Sequence, residues 1–182
     1  MILYKNVDIC DLKSIMENGI LSMDECGNNN WDDGKRANND TSVVYLFNPI
    51  DRQNSFPKYG AALLEIEIDA RENKIGENDV NKNDYKEYLT DKVLPSEIKR
   101  IIIPEIFKNF ITIPEGIEIT WCELKAERYG NDGLEECSKE NLEQFAKTAP
   151  LTCSEEFNFF RGTTEKNTVI DLYNVEYIFA KK

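Results

Sequence analysis

The pattern of hydrophobic and polar positions predicts many short strands. β-Branched and aromatic residues recur at every second position, or in short unbroken runs, between clusters of Gly, Pro, Asn and Asp. The predicted strands cover residues 2–5, 42–47, 61–68, 87–90, 98–103, 169–172 and 175–179, and a hairpin is predicted over 110–123, around Pro114 and Gly116. Strands therefore predominate among the predicted elements.

Two short helices are predicted. In the first, Asp8 is the N-cap, Ile9, Leu12 and Ile15 recur at helical spacing, and Gly19 provides the stop. The second runs over residues 138–147, with a serine as its N-cap. The segments 24–41, 51–59 and 70–84 are polar and without periodicity, so we expect loops or connections there.

Two carboxylates alternate with apolar residues inside one predicted strand. Glu65 and Glu67 fall between Leu64, Ile66 and Ile68. Alternation of this kind is typical of a strand with one buried and one solvated face. We therefore expect both glutamates to face solvent.

Length and composition predict a single globular domain spanning residues 1–182. The chain is 41% hydrophobic and 10% aromatic, values typical of a protein with a packed core. No apolar run reaches the length needed to span a bilayer, and the first residues lack the features of a signal peptide. We expect a cytoplasmic protein without membrane association.

The absence of histidine restricts the chemistry. It excludes serine–histidine and cysteine–histidine nucleophiles, histidine general bases and histidine metal ligands. The five cysteines are widely spaced and contain no Cys-x-x-Cys pair, so we expect reduced structural cysteines and no metal site. Catalysis would depend on carboxylates, Lys, Arg, Tyr or Cys.

The net charge of −12 disfavours nucleic-acid backbones as partners, duplex DNA above all. Such binding requires clustered Lys and Arg side chains that replace counterions on the phosphates. A local basic groove remains compatible with this charge, and acidity by itself also serves solubility.

Three segments resemble the DarT-like ADP-ribosyltransferases, whose fold is shared with the RNA 2′-phosphotransferases. One begins Glu87-Tyr88-Leu89 and continues to a proline turn and an isoleucine-rich strand ending at Ile103. The second is the strand–helix–glycine unit of residues 2–21. The third is Val-Tyr-Leu-Phe-Asn-Pro at 44–49. The resemblance covers about residues 1–107, and residues 108–182 would complete the fold.

The resemblance implies a fold, a substrate and roles for individual residues. The fold would be α+β, with split mixed or antiparallel β-sheets and short flanking helices. Glu87 would be the catalytic carboxylate and Arg36 a second catalytic residue, while Lys5, Asn6, Arg36 and Tyr45 would bind NAD as substrate, with no metal. Residues 48–60 would contact the target. On this hypothesis Lys5, Arg36 and Glu87 converge around one cleft.

The expected function is therefore NAD-dependent ADP-ribosylation of a macromolecule by a bacterial or phage toxin, defence factor or counter-defence factor. The acceptor, protein or nucleic acid, stays open, and an antitoxin or defence-system protein is a further expected partner. The family's His, Thr and Asn fall on Lys5, Val7 and Asp11 here. These departures favour an alternative: a degenerate relative that is an acidic protein- or nucleotide-binding module. A 2′-phosphotransferase is a weaker alternative, because its signature residues are not visible.

Glu87 also has a purely structural interpretation. A glutamate that begins a strand ahead of a proline turn is typical of a solvated residue at a sheet edge. Tyr45 and Lys5 have similar alternatives, as a core residue and a solvated strand end, and Arg36 as an ordinary surface arginine. The catalytic interpretation rests on the three segments occurring together and in order.

Overall fold

The structure is a computed structural model that describes residues 1–27, 40–49, 60–68, 76–78, 85–148, 161–163 and 169–179. Its strands are β1 Ile2–Val7, β2 Val44–Pro49, β3 Ala62–Glu67, β4 Gly76–Asn78, β5 Tyr85–Thr90, β6 Ile98–Pro104, β7 Glu118–Gly130, β8 Gly133–Glu136, β9 Arg161–Thr163, β10 Val169–Asp171 and β11 Tyr173–Ile178. Its α-helices are α1 Leu12–Asn18, α2 Met23–Cys26 and α3 Lys139–Thr148.

Nine of these strands form one mixed sheet in the order β11-β7-β6-β3-β1-β2-β5-β4, with β8 paired to β7 beyond the end of β6. The β6–β7 pair is parallel, and the other pairs of this sheet are antiparallel. Strands β9 and β10 form a separate two-stranded sheet. The prediction of an α+β protein dominated by strands is confirmed.

The centre of the sheet is buried on both faces. In β3, residues 62–66 are all buried, and in β6 Ile101, Ile102 and Ile103 have no exposed surface. A strand covered on both faces needs consecutive apolar residues rather than alternation, which explains the unbroken isoleucine run. These two strands form the middle of the hydrophobic core.

The first helix is confirmed, with a 3₁₀ turn over Ile9–Asp11 leading into α1. Its stop at Gly19, where φ is 81°, is followed by a bridge from Ile20 to Val93 through two backbone hydrogen bonds of 2.9 Å. The end of α1 is thereby attached to the turn that follows β5. None of the helices in the described ranges is long and apolar enough to cross a membrane.

The second predicted helix is confirmed as α3, and the Ser138 hydroxyl accepts a hydrogen bond from the Asn141 amide at 3.2 Å, as an N-cap should. The predicted hairpin over 110–123 is wrong. Residues 111–114 have no regular structure, and β7 runs as one long strand parallel to β6. The hairpin lies one turn later, between β7 and β8, where Asn131-Asp132 connect the strands. Proline and glycine at 114–116 mark a crossover rather than a hairpin turn.

The prediction that Glu65 faces solvent is wrong, whereas Glu67 is exposed as expected. Glu65 is only 5% exposed and forms an ion pair with Arg100 of β6, which is 3% exposed. Strand pairing places the two residues directly opposite each other. Alternation misleads here because a buried cation from the next strand neutralises the buried carboxylate.

The expectation of reduced cysteines is also wrong for Cys10. Cys10 is disulfide-bonded, whereas Cys26, Cys122 and Cys137 are free. Sequence spacing does not report which cysteines approach each other in space, and a disulfide requires Cα atoms only about 5–6 Å apart. Burial raises the pKa of Cys122 to about 12, so this thiol stays protonated and inert at neutral pH.

The buried Glu65–Arg100 pair generates the first prediction. Glu65→Gln leaves the Arg100 guanidinium buried without its carboxylate, and we expect the free energy of unfolding to fall by about 3–5 kcal/mol. Glu67→Gln, two residues along the same strand but exposed, is the matched control. Urea denaturation measures both variants. A loss below about 1 kcal/mol for Glu65→Gln would show that the pair is not the dominant charge interaction of the core.

The second prediction concerns Asp8, which occupies the N-cap position of the 3₁₀ turn but makes no side-chain capping hydrogen bond. Burial, with the nearby Asp11 carboxylate as a lesser cause, raises the pKa of Asp8 from 3.8 to about 6. Between about pH 4 and 6, the Asp8 carboxyl stays protonated in the folded chain but is ionised in the unfolded chain. Stability from this group is therefore present at low pH and lost as pH rises from about 4 to 6.

Asp8→Asn should remove this dependence, so its stability relative to wild type should increase between pH 4 and pH 7. Denaturation midpoints across this range provide the measurement, and Asp132→Asn in the exposed β7–β8 turn is the charge-matched control. A constant difference between wild type and Asp8→Asn at all pH values would contradict the assignment.

Candidate functional site

The three segments that carry the family resemblance lie on three adjacent strands. β1 pairs with β2, and β2 pairs with β5, all antiparallel. The register sets Tyr4 opposite Phe47 and Phe47 opposite Glu87. Because directly opposed residues project from the same face of a sheet, these three side chains share one face.

Asn6 and Tyr45 lie on the same face as Glu87. Asn6 is two residues from Tyr4 along β1, and Tyr45 is two residues from Phe47 along β2, so both keep the parity of that face. The strand pairing thus groups three of the predicted site residues, from positions that are about 40 residues apart in the sequence.

Lys5 is on the opposite face. It neighbours Tyr4 in a regular strand, so it projects away from Glu87. Its Nζ donates a hydrogen bond of 3.1 Å to the main-chain oxygen of Tyr45. The register therefore does not bring Lys5 and Glu87 together. Arg36, the third residue expected at this cleft, lies outside the described residues.

Glu87 is the third residue of β5, not its first, and it is half-buried. β5 is flanked on one side by β2 and on the other by β4, where Asn78 pairs with Glu87. β4 is the edge strand. The interpretation of Glu87 as a solvated edge residue therefore does not describe its position.

Asn6 combines burial with an unsatisfied acceptor. The residue is 5% exposed, and its Nδ2 donates a hydrogen bond of 3.0 Å to the main-chain oxygen of Gly60. Its Oδ1 is buried and has no hydrogen-bond partner among the residues that the structure describes. A buried acceptor left without a donor is unfavourable by about 1–3 kcal/mol, so such a group is a candidate for binding a ligand donor.

A buried polar cluster that the sequence analysis missed occupies the same face. The Tyr4 hydroxyl lies 3.5 Å from Glu65 Oε2, and Arg100 donates to Glu65 and, at 3.2 Å, to the Thr120 hydroxyl. Burial, followed by the charge of Glu65, raises the pKa of Tyr4, so its hydroxyl remains a donor.

Aromatic rings enclose this cluster. Phe179 and Phe47 each lie 6.3 Å from the ring of Tyr4, and the Arg100 guanidinium lies 5.9 Å from the ring of Phe179. Glu65 and Glu67 are the charged residues of β3, Lys99 and Arg100 are those of β6, and the two sets have opposite signs. Opposite charges within two mostly apolar strands are a signal that could have suggested a buried pair, although the sequence does not show which glutamate pairs with which cation.

The row from Glu87 through Phe47 and Tyr4 ends at Glu65, three strands away, or about 14 Å at normal strand spacing. The two carboxylates are too far apart to act together on one bond. Tyr4 and Phe47 lie between the two carboxylates. The buried cluster therefore packs beside the Glu87 region and does not supply a second catalytic carboxylate to it.

Other parts of the described structure do not involve these residues. An open cavity of about 320 Å³ lies between residues 9–13 and 110–114, and none of the candidate residues lines it. Within the described ranges, no three Cys, Asp or Glu side chains cluster as a metal site would require.

No protein-family model, curated protein or solved structure matches the chain.

Gly60 generates the third prediction because it fixes Asn6 against the start of β3. Its φ is 136°, and an added Cβ would lie 2.1 Å from the carbonyl carbon and oxygen of Val7. Gly60→Ala should lower the free energy of unfolding by at least about 2 kcal/mol more than Gly116→Ala, since main-chain atoms cannot rotate aside. Gly116 has a similarly positive φ but open space around it, so it isolates the effect of strain alone. Equal losses in the two variants would contradict the close approach.

Proposed function

We propose that the chain is an NAD-dependent ADP-ribosyltransferase that modifies a macromolecule, with Glu87 as its catalytic carboxylate. One observation carries the proposal: the three segments resembling the DarT-like family lie on the adjacent strands β1, β2 and β5, and Asn6, Tyr45 and Glu87 share a face. Segments similar to a family by chance have no reason to be neighbours in the fold. The mixed, strand-rich sheet with short helices is also compatible with an ADP-ribosyltransferase-like architecture.

The reaction suits a carboxylate in a chain without histidine. The bond between the nicotinamide nitrogen and the ribose anomeric carbon breaks, and nicotinamide leaves with the electron pair. A bond from the acceptor to the anomeric carbon forms, and the acceptor's proton needs a base. Glu87 would stabilise the positive charge that develops on the ribose and accept that proton, as carboxylates do in glycoside hydrolysis.

The residues around Glu87 fit a substrate that carries hydrogen-bond donors. The buried Asn6 Oδ1 accepts no hydrogen bond from the described part of the chain, and we propose that it accepts one from a ribose hydroxyl or a carboxamide. Tyr45, half-buried on the same face, offers an aromatic surface for a nicotinamide ring. Arg36 stays a predicted contact to NAD. Lys5, in contrast, stabilises the main chain of β2 from the other face.

The position of Lys5 also favours a second candidate function. Lys5 occupies the position of the family's histidine, but its side chain donates a hydrogen bond to the main chain of β2. A relative that had lost catalysis while keeping the fold would show this kind of structural replacement. Such a protein would be a protein- or nucleotide-binding module without turnover. The net charge of −12 disfavours duplex DNA as a partner or acceptor in either case. A role as a toxin, defence factor or counter-defence factor, with an antitoxin or defence-system protein as partner, remains part of the proposal.

The fourth prediction tests Glu87 directly. Glu87→Gln keeps the shape but removes the charge, and we expect nicotinamide release from NAD⁺ to fall by about 10²–10³-fold. The thermal stabilisation produced by NAD⁺ should persist. Glu77→Gln is the matched control: Glu77 lies on the adjacent β4 opposite Tyr88, is exposed and faces away from Glu87.

Release that is unchanged in Glu87→Gln would contradict the catalytic role. Absence of any thermal shift at millimolar NAD⁺ would instead favour the non-catalytic module. Stabilisation without release in wild type would require the same comparison with candidate protein and nucleic-acid acceptors present.

A further inference from the structure

The far end of the sheet exposes a concentration of hydrophobic side chains. β7 pairs with β11 on one side and with β8 on the other. From the register, alternate residues of each of the three strands project from the same face of the sheet. Four of the eight large hydrophobic residues exposed in the described chain lie on this face: Tyr129 (66% exposed), Leu134 (44%), Tyr173 (37%) and Ile178 (38%). The opposite face of β7 and β11 is buried where Leu124, Ala126 and Tyr177 lie in the core. We call the exposed side the outer face.

The charges on the outer face have one predominant sign. Tyr129 and Leu134 are directly opposed, and Glu127 is opposed by Glu136 on β8 and by Tyr173 on β11. The full set of charged residues on this face is Glu123, Lys125, Glu127, Glu136 and Glu176. Four glutamates against one lysine give a formal charge of −3.

The described residues do not neutralise these carboxylates. None of the four forms an ion pair in the described part of the chain, although Lys125 is directly opposite Glu176. Glu127 accepts a hydrogen bond from Asn174, which holds the irregular start of β11 in place. By comparison, Arg128 and Glu135, on the other side of the same hairpin, do pair at 3.0 Å.

We propose that the outer face is a docking surface for a basic polypeptide segment that also carries aliphatic side chains. Cations on the segment would pair with the four glutamates and lie over the rings of Tyr129 and Tyr173, which are 5.0 Å apart. Aliphatic residues would cover Leu134 and Ile178. From Glu123 to Tyr129 the surface is about 20 Å long, the length of six or seven extended residues.

Charge complementarity selects this occupant over others. A nucleic acid would bring phosphates against glutamates, and two outer faces brought together would oppose charges of the same sign. The outer face is on the side of the sheet opposite Glu87. Arg100 shares the face of Glu87 through the register, and β7 presents Cys122 and Leu124 on that face, so its outer-face residues project the other way. Docking there is therefore independent of NAD binding and of the proposed function.

The fifth prediction uses a fluorescein-labelled peptide of alternating lysine and leucine, about ten residues long, measured by fluorescence anisotropy at about 0.15 M salt. We expect Glu123→Gln with Glu136→Gln, and separately Tyr129→Ser with Tyr173→Ser, to weaken its binding at least about tenfold. The matched controls are Glu17→Gln with Glu105→Gln, and Phe110→Ser, which change exposed residues elsewhere and should retain wild-type binding. Thermal melts establish that each variant is folded.

Three further measurements separate docking from general attraction to an acidic protein. Oligolysine of the same length should bind at least about tenfold more weakly, because it lacks aliphatic side chains. Backbone amide shifts caused by the alternating peptide in the wild-type protein should concentrate in β7, β8 and β11. Glu87→Gln should bind the peptide like wild type. Equal binding of oligolysine, equal loss in the control variants, shifts spread over other strands, or no binding at about 100 μM peptide would each overturn the proposal.

Discussion

The buried ion pair between Glu65 and Arg100 fixes the register on which the rest of the sheet depends. Two charges buried at the middle of a hydrophobic core are tolerated only while they neutralise each other. A slip of β3 against β6 by one residue would move one charge to the opposite face. Tyr4 joins this pair to β1, and β1 sets the alignment of β2 and β5. The position of Glu87 on its face thus follows, strand by strand, from a charge pair three strands away.

Local signals predicted the elements well but not their pairing. The helix at 12–18, α3 and the isoleucine strand are all marked by periodicity and caps, which act within a few residues. The expected hairpin at 110–123 failed because a proline–glycine turn marks a change of direction and not the identity of the paired strand. β7 pairs in parallel with β6 across that turn, a long-range pairing that no signal within residues 110–123 specifies. Glu65 was misassigned for the same reason, since its partner lies on another strand.

The candidate site shows how a shift of one residue along a strand decides which side chains lie near Glu87. The sequence identified the three segments, and their adjacency depends on topology that no single segment contains. Within β1, neighbouring residues leave the sheet on opposite faces, so Asn6 shares the face of Glu87 and Lys5 does not. A motif aligned by residue type cannot distinguish these two positions. Strand parity can, provided that the register of the adjacent strands is known.

The proposed catalytic residue and the proposed docking surface lie on opposite faces of the sheet. Glu87 lies on one face near β2, whereas the outer face of β7, β8 and β11 lies on the other, at the far side of the sheet. A basic partner on the outer face would leave the Glu87 region open, so it would recruit or position the protein and not block it. A partner that silences an enzyme by covering Glu87 would have to contact β2, β4 or β5 instead. If both proposals hold, a partner on the outer face and an inhibitor over Glu87 would not compete for the same surface.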